Sequence, residues 1–201
     1  MRKLYYAPVV HTMDECLPGL REILKRRSYD TDFLDESTEA YFEKLGKKAE
    51  RLYGNVDKVY RDSLADGHER GLKEIKRLKG PTSELMLNFA NAGARLMKTE
   101  SISLVCTIEV IYGLLKEVRS ERKRNLLLEF RTEFDALRDR YVAHRIGATL
   151  CEGETAVLLM GAEHRVRFDR SINVEYIYTP DHVERESDKA IAEALKRGRK
   201  K

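Results

Sequence analysis

Apolar residues recur along this chain in two rhythms. The clearest is a short unbroken run, Thr155-Ala-Val-Leu-Leu-Met160, which carries no charge and leads directly into Gly161-Ala-Glu-His-Arg-Val166. A run that brief and that apolar predicts a strand buried on both faces. Before it lies a helical stretch from Thr132 to Leu150, on which Phe134, Leu137, Tyr141 and, less cleanly, Ile146 read as the core stripe, followed by a turn over Cys151–Glu154. Lys3–Val10 is β-prone, and Pro8 puts it near an edge or ends its paired part there. Val56–Leu64 and Asn173–Tyr178 also read as strands, and Arg95–Glu100 as a short one.

Between the strands the spacing turns helical. Thr12 reads as an N-cap with Glu15 as its capping-box partner, opening a helix to about Arg27 with Leu17, Leu20, Ile23 and Leu24 on one side. Ser28–Glu36 reads as a loop. Ser37 or Thr38 starts the next helix, with Tyr41, Leu45, Ala49, Leu52 and Tyr53 on one stripe and Gly54-Asn55 as its stop. His68–Leu78 and Thr82–Ala92 are helical, separated by Gly80-Pro81. From 101 to 150 there is no proline, which predicts one or two long helices broken near Ser120. Thr179-Pro180 opens the last helix, with proline at its first position. No clear pattern emerges over 166–170.

Strands alternating with helices predict an α/β fold: a mostly parallel sheet of four to five strands flanked by helices, in one domain over 1–201 with a helical excursion at 101–130. In such sheets ligands bind beyond the carboxyl ends of the strands. Three polar ends are therefore expected to converge: His11-Thr12, Thr99-Glu100 and Glu163-His164. The strand order that decides this is not readable from the pattern.

Composition narrows the function classes. The chain is 42% apolar and 36% charged, which describes a folded, charge-rich protein rather than a disordered one, and the charge content is what a heat-adapted source would select. The net charge of +4 comes from acids and bases mixed along the chain, so no basic face follows and nucleic acid is an unlikely partner; the one basic cluster is the tail, 196–201. Cys16, Cys106 and Cys151 are odd in number and far apart, which fits free thiols in a reducing cytoplasm. The first residues lack a signal-peptide pattern, and no apolar run is long enough to span a bilayer.

The candidate chemistry sits at the strand ends. His11, leaving a buried strand, suits a metal ligand, a general base or an anion-binding donor. Gly161 permits a turn or a close approach, and Glu163 and His164 after it point opposite ways if the segment is extended, so that only His164 faces the cleft. Arg138-Asp139, on the helix before this strand, can fix an anion or orient a histidine, although charge on a helix usually marks a solvated face. Glu100 can act as a ligand or base, or can simply meet the N-terminal dipole of the next helix. Phosphate-loop, GxGxxG, HExxH and GxSxG patterns are all missing.

These residues carry a resemblance. Arg138-Asp-Arg-Tyr-Val-Ala-His-Arg-Ile146, followed by Val157-Leu-Leu-Met-Gly-Ala-Glu-His-Arg-Val166, resembles the TraB family and its distant relatives, the ChaN-like and erythromycin-esterase-like proteins. His11 is similar to that family's early strand-end histidine, and Glu100 to an acid at another strand end. Leu137 stands where the family has an acid, and Val9-Val10 where it has Gly-Thr. The resemblance implies an α/β fold with a polar cleft of two histidines and acids, among relatives that include proposed metal-dependent peptidases, esterases and haem-binding proteins. The expectation is a hydrolase, metal-assisted if His11 and His164 hold a divalent ion. In it His11, Glu100, Arg138, Asp139, Glu163 and His164 are the catalytic residues. The alternative is a binding protein that captures a small anionic ligand or peptide without turnover. The long helices of 101–150 offer a surface for a homodimer.

Overall fold

A computed structural model describes residues 1–10, 24–62, 64–78 and 80–199. Among the described residues five strands form one sheet: β1 (Arg2–Val9), β2 (Lys58–Arg61), β3 (Arg95–Met97), β4 (Thr155–Gly161) and β5 (Ile172–Tyr176). Their order is β3-β2-β4-β1-β5, and every pairing is parallel. β4 therefore lies at the centre with a neighbour on each side. Both its faces are covered, which is why its sequence is a continuous apolar run rather than an alternation. Val157 and Leu159 enter one core, and Ala156, Leu158 and Met160 the other.

Pro8 has its place in this topology. Lys3 N–H donates to Glu154 and Val9 O accepts from Ala162, so the odd residues of β1 address β4. Tyr6 O accepts from Ile177, so the even residues address β5, whose pairing ends at Tyr6. The ring nitrogen of Pro8 falls past that end, where no ladder donor is needed.

Among the described residues the sheet is accompanied by α1 (Thr31–Ala49, closed by a 3-10 turn at Glu50–Leu52), α2 (His68–Arg77), α3 (Pro81–Asn91), α4 (Ile102–Glu117), α5 (Glu121–Thr149) and α6 (Pro180–Gly198). Phe42 and Leu45 of α1, Ile75 of α2, and Met86 and Phe89 of α3 cover one sheet face; Val142 and Ile146 of α5 cover the other. The expected loop at Ser28–Glu36 is corrected: α1 begins at Thr31, because the Asp30 side chain accepts the Phe33 N–H and caps it. Gly54, with φ of +77°, ends that segment as its position implied. The break near Ser120 is present as well, separating α4 from α5. The helix expected over 12–27 falls largely outside the described residues, as do Cys16 and His11.

Among the described residues no helix is long and apolar enough to cross a membrane. α4 and α5 pack on each other, and the outward side of α4 leaves Ile102, Val110 and Leu114 exposed.

Candidate active site at the strand ends

The inner face of α5 explains how charges enter the protein. Val142 and Ile146, one turn apart, press on the sheet and are fully buried. The same face continues one turn towards the N-terminus as Arg138 and Asp139, beyond the point where the strands stop. The expected core stripe through Phe134, Leu137 and Tyr141 is therefore rotated from the true one: Leu137 is exposed, and Arg138-Asp139 is not a solvated face.

Glu100 is fully buried after β3, and the Nε of Arg138 donates to its Oε1 at 2.7 Å. Its backbone is fixed from β2, since Thr99 and Glu100 both donate to Leu64 O, and Thr99 Oγ1 accepts the Arg61 N–H. A carboxylate so held orients the guanidinium as one partner of a buried ion pair. Burial pushes the Arg138 pKa down, but Glu100 and Asp62 outweigh that and leave it above its ordinary value.

His164 is buried at the same place. Its Nδ1 lies 2.7 Å from Asp139 Oδ1, so Nδ1–H donates to the carboxylate and Nε2 carries the lone pair. The other oxygen, Asp139 Oδ2, accepts the Arg165 N–H at 2.8 Å, which locks the carboxylate in place. Nε2 stands 3.4 Å from Arg138 Nη1 and 4.0 Å from Glu163 Oε1. Desolvation lowers the His164 pKa and Arg138 lowers it further. The hydrogen bond to Asp139 and the charges of Asp62 and Asp139 more than offset both, so it sits above the usual histidine value.

The expectation that only one of Glu163 and His164 could face the cleft is corrected. The segment is a turn, with His164 N–H donating to Gly161 O, and both side chains line one cavity of about 450 Å³. Gly161 serves the close approach: a Cβ there would stand 2.7 Å from the Glu163 carboxylate. Around the mouth are Tyr112, with Arg131 stacked on its ring at 4.8 Å, and Arg165.

Asp62 is the residue that sequence reasoning missed. It follows β2, is almost wholly buried, and accepts the Gly161 N–H on Oδ2 at 2.9 Å. It thereby ties the end of β2 to the turn bearing Glu163 and His164. Its signal was present: Arg61-Asp62 is a charged pair directly after Val-Tyr, but extending the strand to Leu64 hid it.

The site thus joins Glu100, Arg138, Asp139, His164 and Glu163, with Asp62 beneath, while His11 lies outside the described residues. Among the described residues no three His, Cys, Asp or Glu side chains are grouped to hold a metal ion. Both ring nitrogens of His164 face a partner, and that of Nε2 is a cation. The described donors do not fit a divalent ion by themselves. They do fit a base held by a carboxylate beside a clamped guanidinium, which can accept a proton and meet a negative charge at the same point. No protein-family model matches the chain, and neither a curated protein nor a solved structure matches it.

Proposed function

We propose that this chain is a hydrolase working on a carbonyl substrate, with His164 as general base. The observation that carries this is the connected row Asp139–His164–Arg138, with Glu100 buried behind Arg138, on the wall of a cavity at the carboxyl ends of a parallel sheet. Asp139 fixes the tautomer of His164. Nε2 takes a proton from water, whose oxygen bonds to the carbonyl carbon. The charge that develops on the carbonyl oxygen is met by Arg138, which Glu100 holds in place. As the intermediate collapses, the leaving oxygen or nitrogen departs and receives the proton from His164, so one water is consumed and an acid plus an alcohol or amine are released. Glu163, 4.0 Å from Nε2, helps to place the water.

The TraB-like segments 138–146 and 157–166 support this reading, because they supply Arg138, Asp139 and His164 of the row. The exposed free thiols Cys106 and Cys151 fit the reducing cytoplasm in which we place the protein. Hydrolysis of 4-nitrophenyl acetate tests it: His164→Gln is expected to lower kcat/KM about 10²–10⁴-fold. A second reading has its own observation. Arg131, Arg138 and Arg165 all line the cavity, as capture of an anion without turnover would require. Phosphate or carboxylate binding abolished by Arg138→Met, with no ester or amide turned over, would favour it.

A further inference from the structure

Three cavities lie in a row along the carboxyl end of the sheet. Beside the catalytic one is a shallower one of about 340 Å³, floored by Val9, Val10 and Ala162 and walled by Val183 and Ser187 of α6, with the carboxylates of Glu163, Glu184 and Asp188 at its rim. Beyond it, between α1 and α6, is the largest, of about 630 Å³. Neighbouring cavities share walls. Glu163 lines the first and second, while Val10, Val183 and Ser187 line the second and third. The floor of the middle cavity is the β1–β4 junction itself, where Ala162 N–H donates to Val9 O. The three adjoin one another, with His164 in the first of them.

The far cavity differs chemically from the catalytic one. Leu24, Tyr29, Phe33, Tyr41, Tyr178 and Ile191 face it. Several of its polar groups are already engaged. The Tyr41 hydroxyl donates to Pro8 O, and those of Ser37 and Thr38 donate to carbonyls of their own helix. Lys189 pairs with Glu186 at 2.7 Å, and the His182 ring stacks on Tyr178. Most of the wall left for a ligand is apolar, with Lys44 at its edge, and such a wall recognises hydrocarbon.

We propose that this cavity holds the apolar arm of the substrate, so that the molecule cleaved at His164 is an ester or amide of a long acyl chain. The chain runs over Val10 and Ala162, past Ser187, into the space between α1 and α6. The proposal rests on the hydrolase reading of the site, and the experiment separates the two. Rates of 4-nitrophenyl acetate, butyrate and octanoate are compared in the parent and in Ser187→Phe, which places a ring in the passage. Each methylene that enters should raise kcat/KM about three- to fourfold, so octanoate should exceed butyrate on the order of a hundredfold. In Ser187→Phe the octanoate-to-acetate ratio should collapse towards one, whereas misfolding would lower both rates alike and leave the ratio intact. A parent whose rate is flat from acetate to octanoate overturns the proposal, as does a variant that keeps the parent's acetate rate and circular dichroism spectrum with its ratio unchanged. If no ester is turned over at all, the hydrolase reading falls and the cavity is judged by binding. Uptake of dansyl-undecanoate that octanoate displaces and Ser187→Phe abolishes upholds the apolar site; no uptake by the parent ends it.

Discussion

Replacing Arg138 by methionine keeps an unbranched stem as far as the position of Nε and removes the charge that Glu100 faces. Glu100 is 0% exposed and Arg138 only 13%. Their 2.7 Å contact is therefore a buried ion pair, in a medium where water cannot screen the loss. Stripping one partner from such a pair costs about 3–5 kcal/mol, whereas an exposed pair costs about 1 kcal/mol or less. For a chain of this size that corresponds to a fall in Tm of roughly 6–20 °C. Urea denaturation followed by circular dichroism at pH 7 reads it as a drop in midpoint at constant slope. Two further features mark the mechanism. The deficit should shrink towards acid pH, as the abandoned carboxylate takes a proton. Adding Glu100→Met to Arg138→Met should also restore most of the loss, because an apolar pair of similar volume carries no desolvation penalty. A single variant that loses under about 1 kcal/mol, or a double variant no better than the single, would refute the reasoning.

Other expectations follow from the same geometry. The His164 pKa is raised above 6.5, so its stabilisation is complete below the unfolded value and is lost as pH rises through the folded one. The stability gap between parent and His164→Gln should accordingly be widest below pH 6.5 and narrow above it, as denaturation midpoints at several pH values will show. Gly161→Ala should cost little stability, since the group that must move is the flexible end of Glu163, yet should slow turnover by displacing that carboxylate; comparing Tm with kcat separates the two effects. Metal analysis of the freshly purified protein should find no stoichiometric divalent ion, given the partners of His164, and an ion that disappears in His164→Ala would contradict its role as a base. Ile102, Val110 and Leu114, exposed on one side of α4, should drive concentration-dependent self-association. Light scattering should detect it at micromolar protein and lose it in Val110→Lys.

Much of this fold is legible in the chain because local signals agree with it. β4 announces itself as a fully buried strand, Thr179-Pro180 opens α6, and Gly54 and Gly93 stop their segments with positive φ, as glycine permits. Glu100, Arg138, Asp139 and His164 were also visible as candidates, since each stands where a strand or its covering helix leaves the sheet. What the pattern hid has a common cause. The inner stripe of α5 contains Arg138 and Asp139, and charges on a helix read as solvated until strand order shows that acids and a histidine surround them. Asp62 was concealed because a strand read on to Leu64 makes it a solvated position within that strand rather than the residue that follows it. Only the β2–β4 neighbourhood, which connects residues far apart in sequence, gives it a partner in Gly161.

The most direct test is the pH dependence of kcat/KM in the parent and in Asp139→Asn, with the best ester substrate. The parent should lose activity on the acid side of an inflection above 6.5, because the base works only when deprotonated and Asp139 favours its protonated form. Asp139→Asn removes that favour, so the inflection should move to lower pH while the plateau falls about 10²–10⁴-fold as His164 loses its orienting partner. An inflection and plateau unchanged by Asp139→Asn would mean that the Asp139–His164 pair is not the base of this site.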